Sequence, residues 1–157
     1  MQFLILSIGK NKESYVEEGI ALFKKRLKHY CNLQLRLLPG VKNAKKLSTI
    51  ELKQKESEIY FKELKGGDYL VLLDENGKTF SSLEFSNRIQ WMRNSSKKRI
   101  VFVIGGAYGF DDSLYKKADE KISLSKMTFS HQLIRVIFLE QLYRAFTIIV
   151  GEKYHNE

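Results

Sequence analysis

Short apolar segments recur along the chain and have the length and composition of β-strands. They are Gln2–Ser7, Leu33–Leu38, Tyr69–Leu73, Arg99–Ile104 and Lys121–Leu124. Leu33–Leu38 alternates leucine with polar residues and predicts a half-exposed strand, whereas the first, third and fourth segments predict buried strands. Asp74–Gly77, which follows the third segment, predicts a turn.

The segments between these strands have the periodicity and the capping residues of helices. Ser48–Glu51 and Ser81–Glu84 have the pattern of a capping box, in which a serine hydroxyl and a glutamate carboxylate bind free amides at a helix start. The predicted helices are Glu13–Tyr30, Ser48 to about Leu64, Ser81 to about Arg93, a short helix capped by Asp111-Asp112, and His131–Val150. Strands that alternate with helices predict an α/β domain with a mostly parallel sheet covered on both faces.

The last predicted helix is apolar around nearly its whole circumference. Leucine, isoleucine, valine and aromatic residues occupy most positions of His131–Val150. One sheet face cannot cover such a helix in a small domain, and an exposed apolar patch of this size usually marks an interface. The simplest arrangement is a homodimer in which this helix packs against its twin.

Length and composition indicate one globular domain covering residues 1–157. The chain is 43% hydrophobic and 29% charged, so it can form a real core. The longest apolar runs are far too short to span a membrane, and no signal peptide is apparent. Its single cysteine, Cys31, excludes an internal disulfide and suits a reducing compartment. We therefore expect a cytoplasmic protein that does not bind a membrane.

The charge is strongly basic and unevenly distributed. The chain has 27 Lys and Arg against 18 Asp and Glu, a formal charge of +9. Residues 1–65 contain 14 of the basic residues and only 7 of the acidic ones. A basic surface attracts polyanions, so nucleic acid is a natural partner, although basic helix faces are often only solvated surface.

The clearest candidate ligand site is the glycine-rich turn Gly105–Gly109, directly after a buried strand. Ligands of α/β sheets bind at the carboxyl ends of strands, but the dinucleotide pattern G-x-G-x-x-G is absent, and a turn without a ligand is the alternative. The polar segment Leu124–Phe129 would lie beside this turn if the strands Arg99–Ile104 and Lys121–Leu124 are neighbours. His131, at the start of the last helix, has either a capping or packing role or a catalytic one.

Two arginines and the chain terminus also call for an explanation. Arg135 and Arg144 lie on an otherwise apolar helix, where a buried guanidinium must be paired or bind an anion. Glu140 offers a partner to either of them, so a salt bridge at a dimer interface is one interpretation, and phosphate binding is the functional alternative. Tyr154-His155 ends the chain, where segments usually fray. Three separated histidines and one cysteine predict no metal site.

Four motifs taken together resemble one known family. They are Val-Ile-Gly-Gly-Ala-Tyr-Gly at 103–109, Ile-Ser-Leu-Ser-Lys-Met-Thr-Phe-Ser-His at 122–131, Arg135-x8-Arg144-Ala-Phe, and Gly-Glu-x-Tyr-His at 151–155. Along its whole length the chain resembles the RlmH family of bacterial large-subunit rRNA pseudouridine N3-methyltransferases, of the SPOUT class. The resemblance implies a parallel sheet flanked by helices, a C-terminal trefoil knot and a homodimer joined through the apolar last helix.

The resemblance also implies a cofactor and the residues that hold it. In this family S-adenosylmethionine is bound in a bent conformation among three loops. In this sequence the matching residues are Leu73, Gly105, Leu124, Ser125, Lys126, Met127, Thr128 and Phe129. The tail with Tyr154 and His155 would then reach the cofactor pocket of the partner subunit.

The reaction implied is methylation of N3 of a pseudouridine in helix 69 of 23S rRNA, within the assembled ribosome. His155 from the partner would help to remove the N3 proton or orient the base, with Tyr154 stacking nearby. Arg135 and Arg144 would hold phosphate or stabilise negative charge on the base. The sequence departs from the family pattern at Ser130, where many relatives have proline, and at Val150, where some have arginine.

Three other functions stay open on the sequence. A non-catalytic RNA-binding module predicts no affinity for the cofactor. A nucleotide-dependent reductase that uses Gly105–Gly109 predicts NAD(P)H binding, although the missing G-x-G-x-x-G counts against it. A methyltransferase acting on tRNA would share the fold and the cofactor.

Overall fold

The five predicted strands form one parallel sheet in a computed structural model, which describes residues 1–156. The strands are β1 (Gln2–Ile8), β2 (Asn32–Leu38), β3 (Tyr69–Thr79), β4 (Arg99–Ile104) and β5 (Glu120–Ser123). Their order across the sheet is β2-β1-β4-β3-β5, and every pair of neighbours is parallel. All five strands therefore end at the same edge of the sheet, which we call the carboxyl edge.

Helices cover both faces of this sheet, as the alternation of strands and helices predicts. They are α1 (Ser14–Leu27), α2 (Thr49–Glu63), α3 (Ser82–Asn94), α4 (Asp112–Lys117) and α5 (Leu133–Val150). Alternate side chains of a strand point to opposite faces. Phe3 and Ile5 of β1 pack with α1, α3 and α5, whereas Leu4 and Leu6 pack with α2 and α4. The domain thus has two hydrophobic cores, one on each side of the sheet.

The helix starts confirm the capping patterns of the sequence. Ser48 and Glu51 form a capping box at α2, and Ser81 and Glu84 form one at α3. Asp111 caps α4 by accepting a hydrogen bond from the amide of Leu114 at 3.1 Å. These contacts lie within three residues of each other in sequence, which explains why they are visible without the tertiary structure.

The predicted turn at Asp74–Gly77 is wrong, because β3 continues through these residues to Thr79. The strand keeps β5 as its partner, and the pairing shifts register between Leu73 and Lys78. Gly77 is necessary at this irregularity, since a Cβ there would lie 2.7 Å from the backbone of Ile122. A partner more than 40 residues away therefore decides the conformation of this segment.

Two further expectations need correction. β3 lies between β4 and β5, so the strands Arg99–Ile104 and Lys121–Leu124 are not neighbours. The last helix begins at Leu133 rather than at His131. Ser130 precedes it, and its hydroxyl accepts a hydrogen bond from the amide of Leu133 while its carbonyl accepts one from the amide of Ile134. Ser130 thus helps to fix the start of α5.

One side of α5 is buried and the other is left partly exposed. Phe138, Leu139 and Phe146 are fully buried against the sheet. Leu133 and Ile137 point outward and are only half-buried. Within residues 1–156, no helix has both the length and the apolar character needed to cross a membrane.

Candidate active site

A cleft of about 390 Å³ opens at the carboxyl edge, between residues 73–76 of β3 and the segments that follow β4 and β5. Seven of the eight residues matched to the cofactor loops line it: Leu73, Gly105, Leu124, Ser125, Met127, Thr128 and Phe129. The eighth, Lys126, lines an adjoining depression with residues 75–79. Although β4 and β5 are separated by β3, their following loops converge because parallel strands end at one edge.

The glycine turn after β4 forms one wall of this cleft and leaves no room for larger residues. A Cβ on Gly105 would lie 3.1 Å from the ring of Phe110, and one on Gly106 would lie 2.7 Å from the carboxylate of Glu56. Gly109 adopts a φ of 78°, and its amide donates to the carbonyl of Gly106 at 3.2 Å. Without side chains in the way, the backbone of this turn can approach a ligand closely.

The cleft also carries negative charge from residues that the sequence did not single out as site residues. Asp74 accepts a short hydrogen bond from the hydroxyl of Tyr115, and both residues line the cleft beside Glu75. Burial, together with the Asp74 carboxylate, raises the pKa of Tyr115, which therefore remains a donor. A carboxylate at the cleft suits a ligand that bears a positive charge. Asp74 falls in the segment that was wrongly predicted to be a turn, so its hydrogen bond with Tyr115 could not be inferred from the sequence.

The segment between β5 and α5 is held by its own serines. The hydroxyl of Ser123 donates to the carbonyl of Ser125 at 2.9 Å, and the hydroxyl of Ser125 accepts from the amide of Met127 at 2.9 Å. Met127 is 77% exposed and Phe129 is 39% exposed. The loop therefore presents apolar side chains at the mouth of the cleft while its backbone path is fixed.

His131 lies at the cleft rather than in the core. Partial burial, with the positive charges of Arg135 and Lys12, lowers the pKa of His131 below its ordinary value. The amide of Lys12 donates to the side chain of Gln132 at 2.7 Å, which ties the loop after β1 to the start of α5. A neutral imidazole is therefore favoured at this position at neutral pH.

Arg135 is completely buried and is held by oxygen atoms at the end of β1 and in the loop that follows it. Its guanidinium donates to the hydroxyl of Ser7 at 2.9 Å, the side chain of Asn11 at 2.8 Å, and the carbonyls of Ile8 and Gly9 at 2.8 and 3.1 Å. Burial lowers the pKa of this guanidinium. Within this chain Arg135 therefore contacts neutral acceptors, and Glu140 pairs with Arg144.

Glu140, Arg144, Tyr154 and His155 form a second group, which we call the tail cluster. Arg144 donates to Glu140 at 2.7 and 3.1 Å and to Nδ1 of His155 at 3.3 Å. Tyr154 donates to Glu140 at 3.2 Å, and its ring lies 4.7 Å from the guanidinium of Arg144. Burial and the charge of Glu140 raise the pKa of Tyr154. The structure therefore brings three of the four proposed catalytic residues together, without Arg135.

The tail reaches this position because the chain reverses after α5. Gly151 has a φ of 75°, which ends the helix, and Glu152 accepts a hydrogen bond from the hydroxyl of Tyr30 at 2.5 Å. Tyr154 packs against Tyr143 with a ring separation of 4.7 Å. These contacts place Tyr154 and His155 on α5 rather than in solution.

The cleft and the tail cluster are separated along α5. Ile134 lines the cleft, whereas Arg144 lies ten residues further on, about 15 Å along the helix axis. Neither Arg144, Tyr154 nor His155 lines the cleft. One chain therefore contains both groups but does not join them. No group of three or more His, Cys, Asp or Glu side chains within residues 1–156 is suited to a metal ion.

Comparisons with known proteins agree with this architecture over nearly the full chain. The family model described as "Predicted SPOUT methyltransferase" matches residues 1–155. A protein of Parabacteroides distasonis named "Ribosomal RNA large subunit methyltransferase H" is 51% identical over 157 residues, covering 100% of both chains. Proteins of the same name from Flavobacterium johnsoniae and Christiangramia forsetii are each 48% identical, over 100% and 99% of both chains.

Proposed function

The chain belongs to the SPOUT methyltransferase family, and we propose that it methylates N3 of a pseudouridine in helix 69 of 23S rRNA. The methyl donor is S-adenosylmethionine and the substrate is the assembled ribosome. The observation that carries this proposal is the cleft at the carboxyl edge, which gathers residues from three separate loops of the family motif. The names of the relatives support ribosomal RNA as the substrate class.

The residues of the cleft fit S-adenosylmethionine in shape and in charge. Gly105 and Gly106 line the cleft and have no side chain, so a ligand can approach their backbone closely. Leu73, Leu124 and the other apolar residues of the wall suit an adenine ring. The carboxylate of Asp74 is suited to a cationic amino or sulfonium group. The bound cofactor supplies an electrophilic methyl group on its sulfonium sulfur.

The tail cluster would act on the base that receives this methyl group. N3 of pseudouridine carries a proton at neutral pH, and this proton must leave as N3 forms its bond to the methyl carbon. Arg144 stabilises the negative charge that develops on the base oxygens. Tyr154 stacks on the base, and His155 orients it or accepts the N3 proton. Positioning of the base contributes much of the remaining rate enhancement.

A homodimer would bring the tail cluster of one chain to the cleft of the other. The outward residues Leu133, Ile137, Arg144 and Ile148 lie along one side of α5 and are half-buried in the single chain. If a two-fold axis passes near the middle of this side, the partner helix runs antiparallel and its Arg144 approaches the Ile134 end of this helix. The separation of cleft and tail cluster within one chain supports this arrangement.

We also propose that the C-terminal part of the chain forms the trefoil knot of the SPOUT fold. The support is the close approach of the parallel neighbours β3 and β5, where a Cβ on Gly77 would lie 2.7 Å from the backbone of Lys121 and Ile122. Arg135 would stabilise this region by holding the end of β1 against α5, and would influence catalysis through position rather than through contact with the substrate.

Transfer of radiolabelled methyl from S-adenosylmethionine tests the proposal directly. Ribosomes from a strain that lacks this protein are compared with naked rRNA and tRNA, with the variant Ser125→Trp as a control that fills the cleft. We expect label on ribosomes, at N3 of a pseudouridine, with the natural chain only. Label on tRNA instead of ribosomes would show that the proposed substrate is wrong. If the chain does not bind the cofactor at all, the proposed reaction fails and a non-catalytic RNA-binding role is favoured.

A further inference from the structure

Arg26, in the last turn of α1, lies beside the tail cluster and forms no ion pair with a carboxylate of residues 1–156. The ion pairs found within residues 1–156 involve Arg36, Arg88, Arg99 and Arg144, each with an acidic residue, and none involves Arg26. The guanidinium carbon of Arg26 lies 5.5 Å from the ring centre of Phe23 and 5.4 Å from that of Tyr143.

These aromatic rings hold the guanidinium next to the tail. Tyr143 belongs to α5 and packs against Tyr154. Burial and Glu140 raise the pKa of Tyr154, and the positive charge of Arg26 acts in the opposite direction and lowers it. A guanidinium that stacks on aromatic faces keeps the N–H groups of its edge available for another ligand. Arg26 is therefore oriented by apolar contacts, and no ion pair within residues 1–156 includes it.

The two arginines of α5 are less suited to bind an anion. Arg135 is fully buried and donates to four oxygen atoms of the chain. Arg144 is paired with Glu140, which offsets much of its charge. Both would have to give up existing contacts to bind a phosphate, whereas Arg26 would not.

We propose that Arg26 binds a backbone phosphate of the RNA substrate next to the tail cluster. This inference rests on the proposed function and deepens it, because it moves phosphate binding from the arginines of α5 to α1. An arginine fork matches the geometry of two phosphate oxygens. Lys24 and Lys25 lie in the same helical turn and add positive potential without defining the geometry.

The matched variants are Arg26→Ala and Arg93→Ala. Arg93 also lacks an ion pair within residues 1–156, and its guanidinium lies 5.5 Å from the ring of Phe146 on α5. Both changes remove one positive charge and one cation–π contact to α5, but only Arg26 lies against Tyr143 and Tyr154. Arg26→Lys restores the charge without the planar fork.

The measurement is equilibrium binding to purified ribosomes over a series of salt concentrations, followed by steady-state methyl transfer. We expect Arg26→Ala to weaken ribosome binding and raise the ribosome KM about 10-fold. The slope of log affinity against log salt should become shallower by about 1. Cofactor affinity and kcat should stay within about twofold of the natural chain, and Arg26→Lys should recover part of the loss.

Two results would overturn the proposal. One is an Arg26→Ala variant with the affinity and salt slope of the natural chain. The other is equal weakening by Arg26→Ala and Arg93→Ala, in proportion to a lower melting temperature, which would make Arg26 a packing residue. The binding measurement also distinguishes failure of this inference from failure of the proposed reaction. If the natural chain binds ribosomes through Arg26 but transfers no methyl group, the proposed reaction fails and this inference stands.

Discussion

Arg144 donates a hydrogen bond to Nδ1 of His155 across 3.3 Å, and this contact fixes the tautomer of the imidazole. A guanidinium has donors but no acceptor, so Nδ1 must accept. The hydrogen of the neutral ring then sits on Nε2. The proposed orienting role therefore requires the buried Nε2 to become exposed, and the proposed proton-accepting role requires Arg144 to release Nδ1.

Substitution of His155 distinguishes these two roles. We expect His155→Ala to lower the single-turnover methylation rate about 100-fold or more, as for loss of a proton-transfer or orienting group. His155→Gln keeps a donor but has no basic nitrogen, so an orienting role predicts that it retains much more activity than His155→Ala. Equal loss in both variants would favour the proton-accepting role. Undiminished turnover of His155→Ala would exclude both roles.

A complementation experiment tests whether the active site is shared between subunits. His155→Ala damages the tail, and Ser125→Trp fills the cleft, so each homodimer should be inactive. A mixed dimer contains one intact pairing of cleft and tail if the parts come from different chains. We therefore expect co-expressed subunits to regain up to half of the natural activity, measured on mixed dimers isolated with two different affinity tags. No recovery would place both parts of the site in one chain.

The outward side of α5 should control the oligomeric state. We expect Ile137→Glu to give a monomer that has lost methyl transfer, because a dimer would have to bury the new charge. Ile50 is 67% exposed on α2, so Ile50→Glu serves as a control that should leave both properties unchanged. Light scattering coupled to size-exclusion chromatography measures the mass. An active dimer of Ile137→Glu would contradict the proposed interface.

Arg135 should matter for stability more than any exposed arginine. Arg135→Met leaves the carbonyls of Ile8 and Gly9 and the hydroxyl of Ser7 without their buried donor, so we expect a loss of about 3 kcal/mol or more in the free energy of unfolding. Arg36→Met breaks a partly exposed ion pair and should cost less than about 1 kcal/mol. Urea denaturation of both variants measures the two losses of stability. Similar midpoint urea concentrations for Arg135→Met and Arg36→Met would contradict the prediction.

The contact between the neighbouring strands β3 and β5 should also be sensitive to one added methyl group. Gly77→Ala places a Cβ 2.7 Å from the backbone of β5, and we expect it to destabilise the fold by about 1–3 kcal/mol. Gly66→Ala introduces the same group where nothing lies within 4 Å and should be nearly neutral. Thermal denaturation compares the two variants, and equal melting temperatures would show that the two strands are less tightly packed at Gly77 than the structure indicates.

The features predicted correctly from the sequence depend on neighbours in the chain. The strands follow from apolar runs, and the capping boxes at Ser48 and Ser81 follow from residues three positions apart. The motifs also indicated which loops form the cleft, because parallel strands place their following loops at one edge. Local periodicity and local hydrogen bonding need no knowledge of the tertiary structure, which is why these elements could be read directly.

Other features were decided by contacts between distant segments. The pairing with β5 extends β3 through Asp74–Gly77, where local composition favours a turn. The partners of Arg135 lie more than 120 residues away, so the sequence could not show that neutral oxygens would satisfy it. The return of Tyr154 and His155 onto α5 depends on Tyr30 and Glu140.

The sequence by itself therefore determined the order of the elements, the family motifs and the apolar character of α5. Only the tertiary structure decided that the cleft and the tail cluster stand apart on one chain, that Arg26 lies against Tyr143 near the tail, and that neutral oxygen atoms satisfy Arg135. The physical reason is that pairing, burial and charge compensation depend on which distant residues the fold brings together, and a local pattern does not encode that choice.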